Sequence, residues 1–132
     1  MIEIKIIRTD SEKELLRNKD LEHTVKFFTL LTNRTYIAAL KGDRVVGLAA
    51  LVEDSIRQPG SIGLGYISTH RDYRNQGIAK VLVQALFELV LAENKNIVNT
   101  HYEMDGLMFL EHVMHRVAKL YPSVILTEQG QA

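Results

Sequence analysis

The chain has 132 residues, with 16 basic and 16 acidic side chains and no cysteine. Its length argues for one domain over residues 1–132, large enough to bury a core without covalent staples. The lack of cysteine excludes disulfides, thiolate metal sites and a cysteine nucleophile, and a formal charge of zero speaks against sequence-independent nucleic-acid binding. Met1–Lys5 has no signal-peptide layout. The longest apolar stretch, Val45–Val52, is far shorter than the ~20 residues of a membrane helix. The expectation is a cytoplasmic protein with neither a membrane nor a nucleic-acid partner.

Ile2, Ile4 and Ile6 alternate with Glu3 and Lys5, which predicts a strand with one buried face. Ser11 and Glu14 fit a capping box, in which each side chain satisfies the other residue's amide. A helical region follows from about Glu12 to Leu31, broken near Asn18–Asp20, with Leu21, Val25, Phe28 and Leu31 on one stripe. Thr35–Leu40 and Val45–Val52 read as a hairpin about Lys41-Gly42-Asp43-Arg44, where Gly42 can take a positive φ. Ser55–Ser61, with Pro59-Gly60, reads as a loop.

Ile62, Leu64 and Tyr66 alternate with Gly63, Gly65 and Ile67 in a further strand that reaches Thr69. The small residues leave room for a backbone or a ligand. Gln76–Ala92 reads as a helix with one narrow polar stripe of Gln76, Lys80, Gln84 and Glu88, so most of its circumference is buried. Asn96–Tyr102 is the next strand. Asp105 caps a helix with Leu107, Leu110, Met114, Val117 and Tyr121 on one face. Pro122 ends it, and Ser123–Thr127 is the last strand. The order is β-α-α-β-β-β-α-β-α-β, an α/β (α+β) fold with a mixed sheet and helices on its faces.

One segment carries the chemistry: His70-Arg71-Asp72-Tyr73-Arg74-Asn75-Gln76-Gly77-Ile78-Ala79-Lys80. It joins a strand to a helix start, where unpaired amides and a partial positive charge suit an anion. Gly77 and Ala79 leave the first turn open to a diphosphate, and Arg74 and Lys80 add positive charge. The same residues also read as a solvated loop with a glycine at a helix start. Residues alone leave both readings standing.

This segment resembles the signature of the GNAT superfamily of N-acetyltransferases, often written V-H-P-D-Y-R-G-Q-G-I-G. The core pattern R/Q-x-x-G-x-G/A is met by Arg74, Gly77 and Ala79. Asp72, Tyr73, Gln76 and Ile78 fit its flanks, and the hairpin Lys41–Gly47 is similar to the family's second and third strands. The resemblance covers most of the chain, from the first strand to the helix ending near Tyr121. It implies a GNAT-like acyl-CoA N-acyltransferase fold and acetyl-CoA as co-substrate. It implies diphosphate binding by Arg74, Asn75, Gln76, Gly77, Ile78, Ala79 and Lys80, and main-chain contacts to the pantetheine arm from Ile67, Ser68 and Thr69. In the family two strands splay to admit the pantetheine; here these are Ile62–Thr69 and Asn96–Tyr102. The implied reaction is direct attack of an amine acceptor on the thioester, with the Thr69 amide as donor to the thioester oxygen.

The match weakens further on. The best gapless placement of the family's later helix puts Leu110 where the family has a tyrosine that protonates the departing thiolate. Tyr102 and His101 are substitute acids, and Glu53 is the candidate base, with Asp54 and Glu103 beside it. His112 and His115 share a helix face, but no third ligand is evident, and a solvated face is the preferred reading over a metal. Only one strand follows the last helix, which shortens the C-terminal end and leaves an edge for a second copy to cover in a homodimer. Two functions follow: an N-acetyltransferase acting on a primary amine of a small molecule or protein, or a catalytically silent acyl-CoA-binding or interaction module.

Overall fold

The hairpin expected about Gly42 forms, with Gly42 at φ 63° and Lys41 facing Arg44 across the turn. It joins β2 (Tyr36–Lys41) to β3 (Arg44–Val52), whose small apolar residues are buried on both faces. The computed structural model describes residues 1–17, 34–53, 60–73, 76–100 and 107–128. The other strands are β1 (Glu3–Ile7), β4 (Ser61–Thr69), β5 (Ile97–Thr100) and β6 (Ile125–Glu128). They form one sheet in the order β1-β2-β3-β4-β5-β6. The pairings from β1 to β4 are antiparallel, and those of β4 with β5 and β5 with β6 are parallel. Together with the three helices among the described residues this is the mixed α/β architecture expected. The second half of the first helical region, Leu21–Leu31, lies outside the described residues.

Helix α1 (Asp10–Arg17) starts earlier than the Ser11–Glu14 box implied. The reciprocal cap is made by Thr9 and Glu12 instead. Glu12 Oε1 accepts the Thr9 amide at 2.8 Å, and Thr9 Oγ1 accepts the Glu12 amide at 3.1 Å. The same spacing, threonine then glutamate three residues on, was present two positions upstream. Glu12 also accepts the Arg8 amide at 3.0 Å. These amides, Thr9's first, hold its carboxyl below the usual glutamate range.

Helix α2 (Ile78–Ala92) lies against β2, β3, β4 and β5 and against α3 (Leu107–Ala118). Ile78, Leu82, Val83, Leu86, Phe87 and Val90 are its buried residues, recurring every three or four positions. They join Ile37, Val46, Leu51, Ile62, Leu64 and Ile67 of the sheet in one core. Full burial of a side chain such as Leu86 or Phe87 contributes about 1.5–3 kcal/mol. The helix ends on Asn94 at φ 57°, with the Asn94 amide bonded to Leu91 O and the Lys95 amide to Val90 O. This left-handed cap satisfies carbonyls the helix would otherwise leave open.

The opposite face of the sheet holds a second cluster. Leu16 of α1 packs there with Ile7, Tyr36, Leu40, Val45 and Leu48. Lys13, fully buried, sets its ammonium 5.9 Å from the centre of the Tyr36 ring. Farther along this face a polar row crosses three strands. Asn99 Nδ2 donates to Ser61 Oγ at 3.1 Å, and the Thr127 hydroxyl donates to Asn99 Oδ1.

Candidate active site

β4 is the strand on which the site is built. Its sequence suggested that Ile62, Leu64 and Tyr66 share a face, and the structure corrects this. Ala50 pairs with Tyr66 but Leu51 pairs with Leu64, so Gly65 is an extra residue on β4. Beyond this bulge the alternation inverts. Ile67, with Ile62 and Leu64, faces α2, while Tyr66 joins the cluster on the other side. A glycine in mid-strand is a common sequence trace of a bulge.

Among the described residues, β4 pairs with β5 from Ser61–Ile97 to Leu64–Thr100 and with β3 out to Thr69–Gly47. The amide of His70 donates to Val46 O on β3 at 2.8 Å. Backbone groups alternate in direction along a strand, so Ile67 and Thr69 turn theirs away from β3, toward the β5 side. Ser68 turns its own toward β3. Two of the three expected pantetheine residues thus present main-chain groups on the side expected to receive the arm, and Ser68 does not.

The chain then folds into the loop that leads to α2. His70 is 1% exposed, and its Nδ1 accepts the Asp72 amide at 3.1 Å. Its carbonyl accepts the Tyr73 amide at 2.8 Å, closing the short 3₁₀ turn Arg71–Tyr73. The two rings meet edge to face with centroids 5.3 Å apart. His70 is therefore a fastener of the loop. Gln76 reaches back to Asp72 O at 3.4 Å.

Gly77 has φ 79° and ψ 14°, a left-handed conformation that keeps it and Gln76 out of the helix. The helix starts at Ile78, two residues later than its polar stripe suggested. The first described helical bond runs from the Val81 amide to Gly77 O at 3.1 Å. The amides of Ile78, Ala79 and Lys80 precede it and have no intrahelical acceptor. No acidic residue occupies this first turn, and a Cβ at Gly77 would meet nothing within 4 Å. Ile78 contributes its backbone alone, because its side chain is core; Ala79 is half-buried and Lys80 exposed. The residues present suit a diphosphate on these amides.

The expected base is not brought to this place. Glu53 follows β3 beyond Val52, which pairs with Gly63, six residues from Thr69. That is about 20 Å of strand. Glu53 is engaged elsewhere, accepting the Thr35 hydroxyl at 2.8 Å and lying 3.6 Å from the Arg8 guanidinium. Arg8 also binds Glu93 after α2. These contacts tie strand ends to a helix end, and the catalytic role expected of Glu53 is withdrawn on that geometry. Arg74, Asn75, His101, Tyr102 and Glu103 lie outside the described residues. His112 and His115 are both exposed on α3. Among the described residues no helix is long and apolar enough to cross a membrane.

Comparison with known proteins agrees with this picture. No curated protein matches the chain. Among solved structures, an aminoglycoside acetyltransferase from an uncultured soil metagenomic sample superposes with a TM-score of 0.65 at 18% identity, over 91% of this chain and 90% of the other. An acetyltransferase of Bacillus subtilis, solved with CoA, gives 0.62 at 14% identity, over 89% and 76%. The IAA acetyltransferase of Bacillus cereus gives 0.61 at 17% identity, over 88% and 75%. At these identities the likeness is one of fold. The sequence profile of the acetyltransferase (GNAT) family matches residues 4–106, most of the chain and all of the loop and helix start described above. The chain belongs to the GNAT family of acetyltransferases.

Proposed function

We propose that the protein is an N-acetyltransferase that transfers the acetyl group of acetyl-CoA directly to a primary amine. The observation that carries the reading is the left-handed Gly77, which sets the start of α2, with first-turn amides that suit an anion, shortly after the end of β4. The CoA diphosphate would bind the amides of Ile78, Ala79 and Lys80, with Arg74, Asn75 and Gln76 beside them. The pantetheine arm would run along Ile67 and Thr69, and the Thr69 amide faces the side on which the thioester oxygen would lie. A donor held at that oxygen stabilises the charge that develops in the transition state.

The amine loses a proton, its nitrogen bonds to the acetyl carbon, the carbon–sulfur bond breaks, and the thiolate takes up a proton. No cysteine exists to carry an acyl group on the way. Positioning therefore supplies the main rate gain. Tyr102 is our candidate for the acid that protonates the thiolate. The acceptor class, small molecule or protein, is left to a screen.

A second reading is a CoA-binding module without turnover. It is favoured by α3, which carries no tyrosine between Leu107 and Ala118 and has Leu110 where the family's acid is expected. Two measurements test the pair. Thermal unfolding is followed with and without acetyl-CoA, where ligand at 100 times its dissociation constant adds about 2.7 kcal/mol. Release of CoA thiol is then followed with a panel of amines against water alone. A thermal shift with amine-dependent release supports the enzyme, a shift without release supports the silent module, and no shift defeats both.

A further inference from the structure

Beside the loop lies a shallow cavity of about 440 Å³ that the reading above does not use, lined by Lys41, Asp43, Arg44 and Tyr73. Its floor and walls come from two elements that the fold locks together. Lys41 and Arg44 face each other at the base of the β2–β3 hairpin. Tyr73 belongs to the 3₁₀ turn that precedes α2, and the Lys41 ammonium stands 5.3 Å from the centre of its ring. The turn is held against β3 by the His70 amide on Val46 O, two residues after Arg44. The cavity thus has a fixed place relative to the start of α2. Tyr73 precedes Gly77 by four residues, a span of at most about 14 Å of chain.

The charge of the cavity is selective. Two cations and one carboxylate line it, within a chain whose formal charge is zero. A guanidinium and an ammonium across a hairpin suit the oxygens of a phosphomonoester, the first in a planar fork and the second as a point charge. Acetyl-CoA carries such a group in addition to its diphosphate: the 3′-phosphate, one ribose away.

We propose that Lys41 and Arg44, with Tyr73 as the wall between them and the helix start, bind the 3′-phosphate of the coenzyme. The proposal rests on the acetyl-CoA reading and deepens it. The β2–β3 hairpin is then a reading head for the third phosphate, separate from the amides that hold the diphosphate. It gives the protein a means of preferring CoA over 3′-dephospho-CoA.

The test is a two-by-two binding experiment by calorimetry, with the parent chain and the Lys41→Gln/Arg44→Gln double variant, each against CoA and 3′-dephospho-CoA. Both side chains are exposed, so the variant keeps its core. The expected result is that the parent binds CoA roughly two- to thirtyfold more tightly than dephospho-CoA, the range of two solvent-exposed charge pairs. The double variant binds both ligands alike, at the parent's affinity for dephospho-CoA. Inorganic phosphate weakens CoA binding to the parent more than it weakens dephospho-CoA binding.

Equal affinity of the parent for the two ligands overturns the proposal while leaving the CoA site intact. An equal loss of both ligands in the variant overturns it as well, since the hairpin would then act on the loop as a whole. Phosphate binding at the hairpin that leaves CoA affinity untouched assigns the cavity to a separate anion and also overturns it. Binding of neither ligand to the parent defeats the acetyl-CoA reading and this proposal together.

Discussion

Gly47 of β3 and Ile78 of α2 touch so closely that a Cβ on Gly47 would lie 2.5 Å from Ile78 Cγ2. Leu82 Cδ1 would be 3.0 Å away. The terminal methyl of Leu82 can turn aside, but Ile78 Cγ2 moves only with χ1, which a β-branched residue in a helix holds in one preferred rotamer, or with the backbone. Gly47→Ala is therefore expected to displace the first turn of α2. Overpacking of this kind costs about 1–3 kcal/mol. Urea denaturation reads the stability loss, and calorimetry with CoA reads a weaker diphosphate site. An alanine variant with parental stability and affinity would show that the contact is slack.

Gly77 allows a cleaner separation of backbone from packing. A Cβ there has open space, so the cost of Gly77→Ala is the left-handed conformation alone. That is roughly 1–2 kcal/mol. Gly77→Asn should cost less, because asparagine visits this region more readily. Gly77→Asp adds a negative charge where the diphosphate is proposed to bind. Its expected signature is a folded protein whose melting temperature no longer responds to acetyl-CoA. A thermal shift like the parent's in that variant counts against the diphosphate site.

Removing the charge of Glu53 should affect stability and spare turnover. Its side chain is 31% exposed and that of Arg8 42%, so water screens the pair. Such pairs contribute at most about 1 kcal/mol. Glu53→Gln is expected to lower the denaturation midpoint slightly and to leave amine-dependent CoA release at the parent rate. A fall in release with unchanged acetyl-CoA affinity would restore Glu53 to a place in the reaction.

Glu12 predicts a pH dependence. Its carboxyl is held below the usual range by the amides of Thr9 and Arg8, so the folded state prefers the carboxylate. The resulting stabilisation is fully present above the ordinary glutamate value and is lost as the pH falls through it to the lower folded value. Denaturation midpoints measured from about pH 7 to about pH 3 should fall more steeply for the parent than for Glu12→Gln. Parallel curves would mean that the cap does not form in solution.

The framework was readable where side-chain pattern and backbone agree. The Gly42 hairpin, the apolar helix after Gly77 and the alternation of the last strands each follow from local sequence. The misjudged points share a cause: one backbone residue changed the phase. The extra residue at Gly65 put Ile67 with Ile62 and Leu64 and turned Tyr66 away, which a count by twos cannot foresee. Gly77 was legible as a small residue, but its left-handed conformation moved the helix start to Ile78. The α1 cap fell on Thr9 because two overlapping motifs competed, and the upstream pair of Thr9 and Glu12 made the reciprocal bonds. Glu53 was chosen because it ends the strand beside the expected site, and the antiparallel run of β3 against β4 sets it at the opposite end of that strand pair from Thr69.

The polar row of Ser61, Asn99 and Thr127 has a consequence for assembly of the sheet. β4, β5 and β6 are parallel, so no tight turn sets their alignment, and their apolar side chains would tolerate several offsets. A slip of one residue would send Asn99 to the helix-bearing face beside Ile62 and Leu126, where an amide finds no partner. Only one offset bonds Asn99 to both Ser61 and Thr127. The row thus acts as a key cut into otherwise interchangeable strands, aligning the far half of the sheet so that Leu64 of β4 lies against Thr100 of β5.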